Sequence, residues 1–116
     1  MISFTIPIRT ISEANQSRQE HWGSKARRVK KQREAVAWLW PRRKIELPVT
    51  VTLTRIAPRS LDFDNLVRSQ KAVVDEIAKQ LGVDDRDNRI EWRYGQERGT
   101  KAKEYGVRVE IEPKSS

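Results

Sequence analysis

Val49-Thr50-Val51-Thr52-Leu53-Thr54-Arg55-Ile56 decides how the rest of the chain is read. Val49, Val51 and Leu53 fall on one side of an extended backbone and Thr50, Thr52 and Thr54 on the other. β-Branched residues in strict alternation suit a half-buried pleated surface, so this stretch is a strand. Ala57 to Ser60 follows as a loop. A helix is then expected from about Asp64 to Leu81. At about 100° per residue, Leu66, Val73, Ile77 and Leu81 share one side, and Asp64, Arg68, Lys71 and Asp75 the other. Gly82 stands where a left-handed cap belongs. Ile90, Trp92 and Tyr94 alternate as a third strand, and Gln96 to Glu104 reads as a polar loop. Val107, Val109 and Ile111 give a fourth strand, which could form a hairpin with the third. Pro113 to Ser116 is a frayed tail.

Upstream, residues 25–40 carry a narrow apolar seam through Val29, Val36 and Trp40 and end at Pro41, the pattern of a helix. Lys25, Arg27, Arg28, Lys30, Lys31 and Arg33 occupy its other faces. Ile2, Phe4, Ile6 and Ile8 alternate with polar residues and Pro7, an edge strand. Residues 10–24 are polar and irregular. The order β-α-β-α-β-β predicts an α+β fold, an α/β sandwich with a mixed sheet of about four strands and two main helices. With no linker, repeat or low-complexity tract in 116 residues, a single domain over 1–116 is expected.

Hydrophobic residues make up 36% of the chain and charged residues 34%, which leaves a thin core under a heavily charged surface. The net charge is +8, and Arg18 to Lys44 holds ten Lys/Arg against two Glu, the whole of that surplus. Such a concentrated excess points to a polyanion, nucleic acid above all. The absence of Cys removes disulfides and thiolate metal sites and suits a reducing cytoplasm. Met1 to Ile8 has neither the cationic start nor the long apolar run of a signal peptide. No stretch approaches the ~20 apolar residues of a membrane span, so no membrane partner is expected.

Against that basic background the acids stand out. Asp62-Phe63-Asp64-Asn65 precedes the second helix, and Asp84-Asp85-Arg86-Asp87 follows it. Residues two apart in an extended stretch point the same way, so Asp62 and Asp64 can converge on one cation. Magnesium takes hard oxygen ligands of this kind. Carboxylates repel phosphate unless a cation lies between them, which gives a nucleic-acid-binding chain a reason to hold a metal. A helix of about 18 residues is ~27 Å long, so Asp85 must fold back along the third strand or come from another subunit. Structural roles compete with this reading. Asp62 or Asp64 suits a helix N-cap, Asp84-Asp85 a polar turn, and Lys71 with Asp75 a surface ion pair.

Asp62-Phe63-Asp64-Asn65, Lys71-Ala72-Val73-Val74-Asp75, Asp84-Asp85 and the strand from Ile90 together resemble the RusA family of Holliday junction resolvases of phages and prophages. The likeness extends to the opening strand, the basic helix and the final strand. It implies a homodimer that uses magnesium or manganese to hydrolyse phosphodiesters near the crossover of a four-way junction, in recombination and repair. It implies Asp62, Asp64 and Asp85 as metal ligands and Lys71 as a helper cation. The family's Lys usually follows four residues after the second Asp, where this chain has Arg68, so either Arg68 or Lys71 fills that role.

On this reading Arg27, Arg28, Lys30, Lys31, Arg33 and Arg68 contact backbone phosphates, unless the helix face is merely solvated. Trp22, in a polar loop, could stack on an exposed base. Asn15 could approach the DNA or the active site. Lone His21 reads as a loop residue, and Trp38, Trp40 and Trp92 as core or interface anchors. Two other functions fit the same residues: a non-catalytic basic nucleic-acid-binding protein, and a flap- or fork-specific nuclease of the same fold.

Overall fold

The computed structural model describes residues 1–10, 22–100 and 104–114. The strands are β1 (Ile2–Ile6), β2 (Val49–Ala57), β3 (Ile90–Arg98) and β4 (Gly106–Pro113), and the helices α1 (Trp22–Leu39), α2 (Phe63–Ser69) and α3 (Lys71–Leu81). The α+β class and the expected element order hold.

The sheet order is β1-β4-β2-β3. β4 runs antiparallel to both β1 and β2, with Val109 opposite Phe4 on one side and Leu53 on the other. β2 and β3 are parallel, with Leu53 opposite Tyr94. The sheet is therefore mixed, but β3 and β4 are no hairpin, because β2 lies between them. A parallel neighbour requires a crossover, and α2 and α3 supply it. β1 takes the edge that Pro7 suggested.

One face of the sheet carries the core. Val49, Val51 and Leu53, Val107, Val109 and Ile111, and Ile6 bury against Val36 of α1 and Val73, Val74 and Ile77 of α3. Burying a side chain of this size is worth roughly 1.5–3 kcal/mol. The opposite face is polar, with Arg108 2.7 Å from Glu97 and Thr50 donating to Glu91 at 3.1 Å. Of the expected seam Val29, Val36 and Trp40, Val36 and Trp40 face the core, while Val29 is half-buried beside a cavity between the helices. Trp40 meets Phe4 edge-on with ring centroids 6.1 Å apart.

The second helix is interrupted at Gln70, where the backbone leaves helical geometry (φ −98°, ψ 1°). The cause is local. The Ser69 hydroxyl donates to the Leu66 carbonyl at 2.7 Å, a back-bond that bends helices. Gln70 is fully buried and donates from Nε2 to Thr10 Oγ1 at 3.4 Å. Its own carbonyl then accepts the first bond of α3, from Val74 N–H at 2.9 Å. At the far end Gly82 adopts φ 80°, and Val83 N–H returns to the Ala78 carbonyl at 3.0 Å. This left-handed cap turns the chain back toward β3.

Candidate active site

Ile90, Trp92, Tyr94 and Gln96 share one face of β3, spaced roughly 7 Å apart. Ile90 joins the core, and each of the other three holds a neighbouring segment. Trp92 Nε1–H donates to the Asp85 carbonyl at 3.0 Å. The Tyr94 ring meets Phe63 edge-on with centroids 6.4 Å apart. The Gln96 amide donates to the Leu61 carbonyl and accepts from the Leu61 N–H, both at 2.7 Å. The segment bearing Asp62 and Asp64 and the turn bearing Asp84 and Asp85 are thus laid along the same strand.

The turn after Gly82 brings Asp85 back to the start of α3 within one chain. Lys71 Nζ lies 2.9 Å from Asp75 Oδ1 and 2.9 Å from Asp85 Oδ2. Hydrogen bonds to Asp75 and then Asp85 raise the Lys71 pKa, and the ammonium holds the Asp85 carboxyl below the usual carboxylate range. Burial pushes the Tyr94 phenol up, while Lys71 and Asp85 act on it in opposite senses. Lys71 and Asp85 are therefore both ionised at neutral pH. The Lys71 side chain is 62% exposed, so its ion pairs are screened and contribute little to stability.

Asp62 is the N-cap of α2. Its Oδ1 accepts from Asn65 N–H at 2.9 Å, and its Oδ2 from Asn65 Nδ2 at 3.1 Å. Asp64 lies in the first turn, exposed, with no side-chain partner among the described residues. Asp84 closes an Asx-turn by accepting from Arg86 N–H at 2.9 Å. Arg89 holds the Asp87 carboxyl down to about 2 through side-chain and backbone hydrogen bonds. Among the described residues no three acidic or histidine side chains gather as a metal-holding group. The segment with Asp62 and Asp64 and the turn with Asp85 are instead held along β3 through Leu61, Phe63 and the Asp85 carbonyl.

The basic helix borders this site. A cavity of about 400 Å³ separates α1 from α2 and α3, and its walls include Lys25, Val29, Arg68, Lys71 and Asp75. Arg27, Lys30 and Lys31 are exposed, and Arg28 partly so. Lys30 lies 3.9 Å from Glu34, and Arg27 donates to Ser24 Oγ at 3.3 Å. Arg33 differs from the expected phosphate contact, because its Nε donates to the buried Glu76 carboxylate at 3.0 Å. Arg68 is exposed in the last turn of α2, and Lys71 is the cation the acids hold. Trp22 opens α1 instead of sitting in a loop. Trp38 is 87% exposed, so it is no core anchor. Asn15 and His21 lie outside the described residues.

Two residues of this region escaped the sequence reading. Gln96 fell in a stretch read as loop, although it continues the alternation of Trp92 and Tyr94. Arg55 falls on the apolar side of the Val49, Val51, Leu53 alternation, and a charge on a buried register was the available signal.

No protein-family model matches the chain, and no curated protein does either.

Proposed function

We propose that the chain is a magnesium-dependent, structure-specific endodeoxyribonuclease of the RusA kind. It works as a homodimer on four-way junctions and related branched DNA, in recombination and repair. The observation that carries this reading is the arrangement along β3. Trp92 and Gln96 hold the two acid-bearing segments, and between them the Lys71 ammonium lies 2.9 Å from Asp85.

The donor set fits a hard divalent cation. Asp62, Asp64 and Asp85 offer carboxylate oxygens, Asp64 is exposed, and Lys71 keeps Asp85 ionised. A bound Mg²⁺ or Mn²⁺ supplies Lewis acidity at a scissile phosphate and lowers the pKa of water. The chain's own side chains do the rest. Asn65 fixes the Asp62 carboxylate, and Asp75 and Asp85 aim the Lys71 ammonium. Lys71 offsets negative charge developing on the phosphate, with Arg68 beside it. Arg27, Arg28, Lys30 and Lys31 bind backbone phosphates without regard to sequence, a contact that weakens steeply with salt.

A second reading also has an observation behind it. Asp62 caps a helix, and Asp84 and Asp87 close turns, so several acids already have structural work. A non-catalytic basic nucleic-acid-binding protein would use them in that way. Cleavage of an end-labelled synthetic four-way junction in magnesium or EDTA, by wild type and Asp64→Asn, separates the two. The nuclease reading expects metal-dependent nicks on paired strands and at least a hundredfold loss in the variant, the scale for groups acting on transition-state charge. Tight, salt-sensitive binding with no cleavage by wild type in magnesium, or in manganese put in its place, assigns the chain to the binding class.

A further inference from the structure

Where β2 and β3 end, a cavity of about 460 Å³ opens between Arg55, Arg59, Ser60, Gln96 and Arg98. Arg55 is the unusual member. Only 7% of it is exposed, yet every partner of its guanidinium is neutral. Nε donates to Thr10 Oγ1 at 3.2 Å, Nη2 to the Thr10 carbonyl at 3.3 Å, and Nη1 to the Arg59 carbonyl at 2.7 Å. No carboxylate meets it among the described residues. Glu97 also borders the cavity, but its carboxylate is taken by Arg108 at 2.7 Å. Burial lowers the Arg55 pKa and nearby Arg9 lowers it further, against an opposing effect of Tyr105.

A buried cation without a counter-ion is costly, because the interior returns none of the solvation that water gave. A guanidinium has five N–H donors, and the three bonds above leave two of them over. Arg59 and Arg98 stand at the same opening with exposed side chains. Three arginines lining one polar cavity suit a tetrahedral oxyanion, which accepts paired N–H bonds from guanidinium groups. The position is also informative. Gln96 is opposite Arg55 in the β2–β3 register, lines the cavity, and clamps Leu61 immediately before Asp62.

We propose that Arg55, Arg59 and Arg98 form a phosphate-binding pocket that takes a backbone phosphodiester of nucleic acid beside the Asp62–Asp64 segment. The phosphate chemistry stands on the pocket itself, and the assignment of that phosphate to the cleaved DNA rests on the nuclease reading.

The test follows the Arg55 side-chain Nε–Hε NMR signal of the full chain in EDTA, so that neither metal nor cleavage enters. Inorganic phosphate should shift that signal saturably, and chloride at equal ionic strength should not. Arg59→Gln with Arg98→Gln keeps the Arg59 carbonyl and alters only exposed side chains. It should weaken phosphate binding by about tenfold at an unchanged thermal midpoint. A short DNA duplex should displace the phosphate. A signal indifferent to phosphate, an unchanged affinity in the double variant, or a duplex that binds without displacing phosphate overturns the proposal. A chain inert toward junctions whose Arg55 still answers to phosphate and duplex loses the nuclease reading and keeps this pocket. A chain that cleaves while Arg55 ignores phosphate keeps the nuclease reading and loses the pocket.

Discussion

Two guanidinium groups enter the interior at opposite layers of the molecule. In the helical layer, Arg33 of α1 reaches Glu76 of α3, a carboxylate whose side chain is 6% exposed, at 3.0 Å. Gln80 Nε2 completes that carboxylate at 2.8 Å. At the end of the sheet, Arg55 meets a hydroxyl and two carbonyls and no opposite charge. Both residues belong to a chain with a surplus of positive charge, yet they have different consequences. The first is a closed pair that ties two helices together. The second is an open charge that an outside anion can complete. Basicity therefore does not mark a binding surface by itself. What marks it is whether the fold already supplies the counter-charge.

The sharpest way to break this contrast is to remove each charge with a side chain of similar bulk. Arg33→Met leaves Glu76 buried and unpaired, and should destabilise the fold by about 2 kcal/mol, less than a fully buried pair because Arg33 is partly exposed. Arg55→Met loses three hydrogen bonds but also the desolvation of a lone cation, so it should cost only about 1 kcal/mol. Urea unfolding of both variants gives the comparison, and an Arg55→Met at least as damaging as Arg33→Met would refute it. A smaller effect sharpens the region around the sheet end. Gln96→Ala removes two bonds to Leu61 and should cost about 1 kcal/mol or slightly less, given the exposure of that side chain. Hydrogen exchange at the Leu61 amide should quicken in the variant, and an unaltered rate would show that Phe63 against Tyr94 holds the segment unaided.

The smallest effect concerns a surface pair. Asp87 is depressed from 3.8 to about 2 by Arg89. A depressed carboxyl contributes stability above its ordinary pKa, and loses it as pH falls through the folded value. The window here runs from 3.8 down to about 2. The pair lies at the surface, with Arg89 exposed and Asp87 partly so, and the visible consequence is in titration. Carboxyl NMR should find the Asp87 midpoint near the lower end, and Arg89→Gln should return it toward the ordinary value. No movement in the variant would assign the shift to the turn backbone.

How far this was legible in the sequence depends on the range of the interaction responsible. Alternation placed β2, β3 and β4, and Gly82 announced its cap, because period and backbone conformation are local properties. Helix length left two routes for Asp85, a return along β3 or a second subunit, and the choice between them came only with the turn after Gly82, which brings Asp85 to Lys71 of the same chain. The break at Gln70 was not, since no Gly or Pro marks it. It comes from the Ser69 hydroxyl and a contact with Thr10 sixty residues away in sequence. Strand order was hidden for the same reason. Neighbouring strands in sequence suggested a hairpin, and the actual pairing of β4 with β1 and β2 is non-local. In the acid site, residue types and spacing singled out Asp62, Asp64, Lys71 and Asp85. Which acids cap, which pair with Lys71, and which stay free depended on packing against Trp92, Tyr94 and Gln96.

The position of β4 also sets an order of events. It is the last of the four strands in the chain and lies between β1 and β2, so Ile2 finds its partner only in Ile111. During synthesis the first strand emerges long before the strand that joins it to the sheet. Until residues 106–113 leave the ribosome, β1 has no strand to pair with and β2 only β3. Assembly of the sheet is therefore a late, nearly all-or-none step, of the slow kind that distant pairing imposes. A chain stopped before β4 would have lost the middle of its sheet and kept both ends of the acid site.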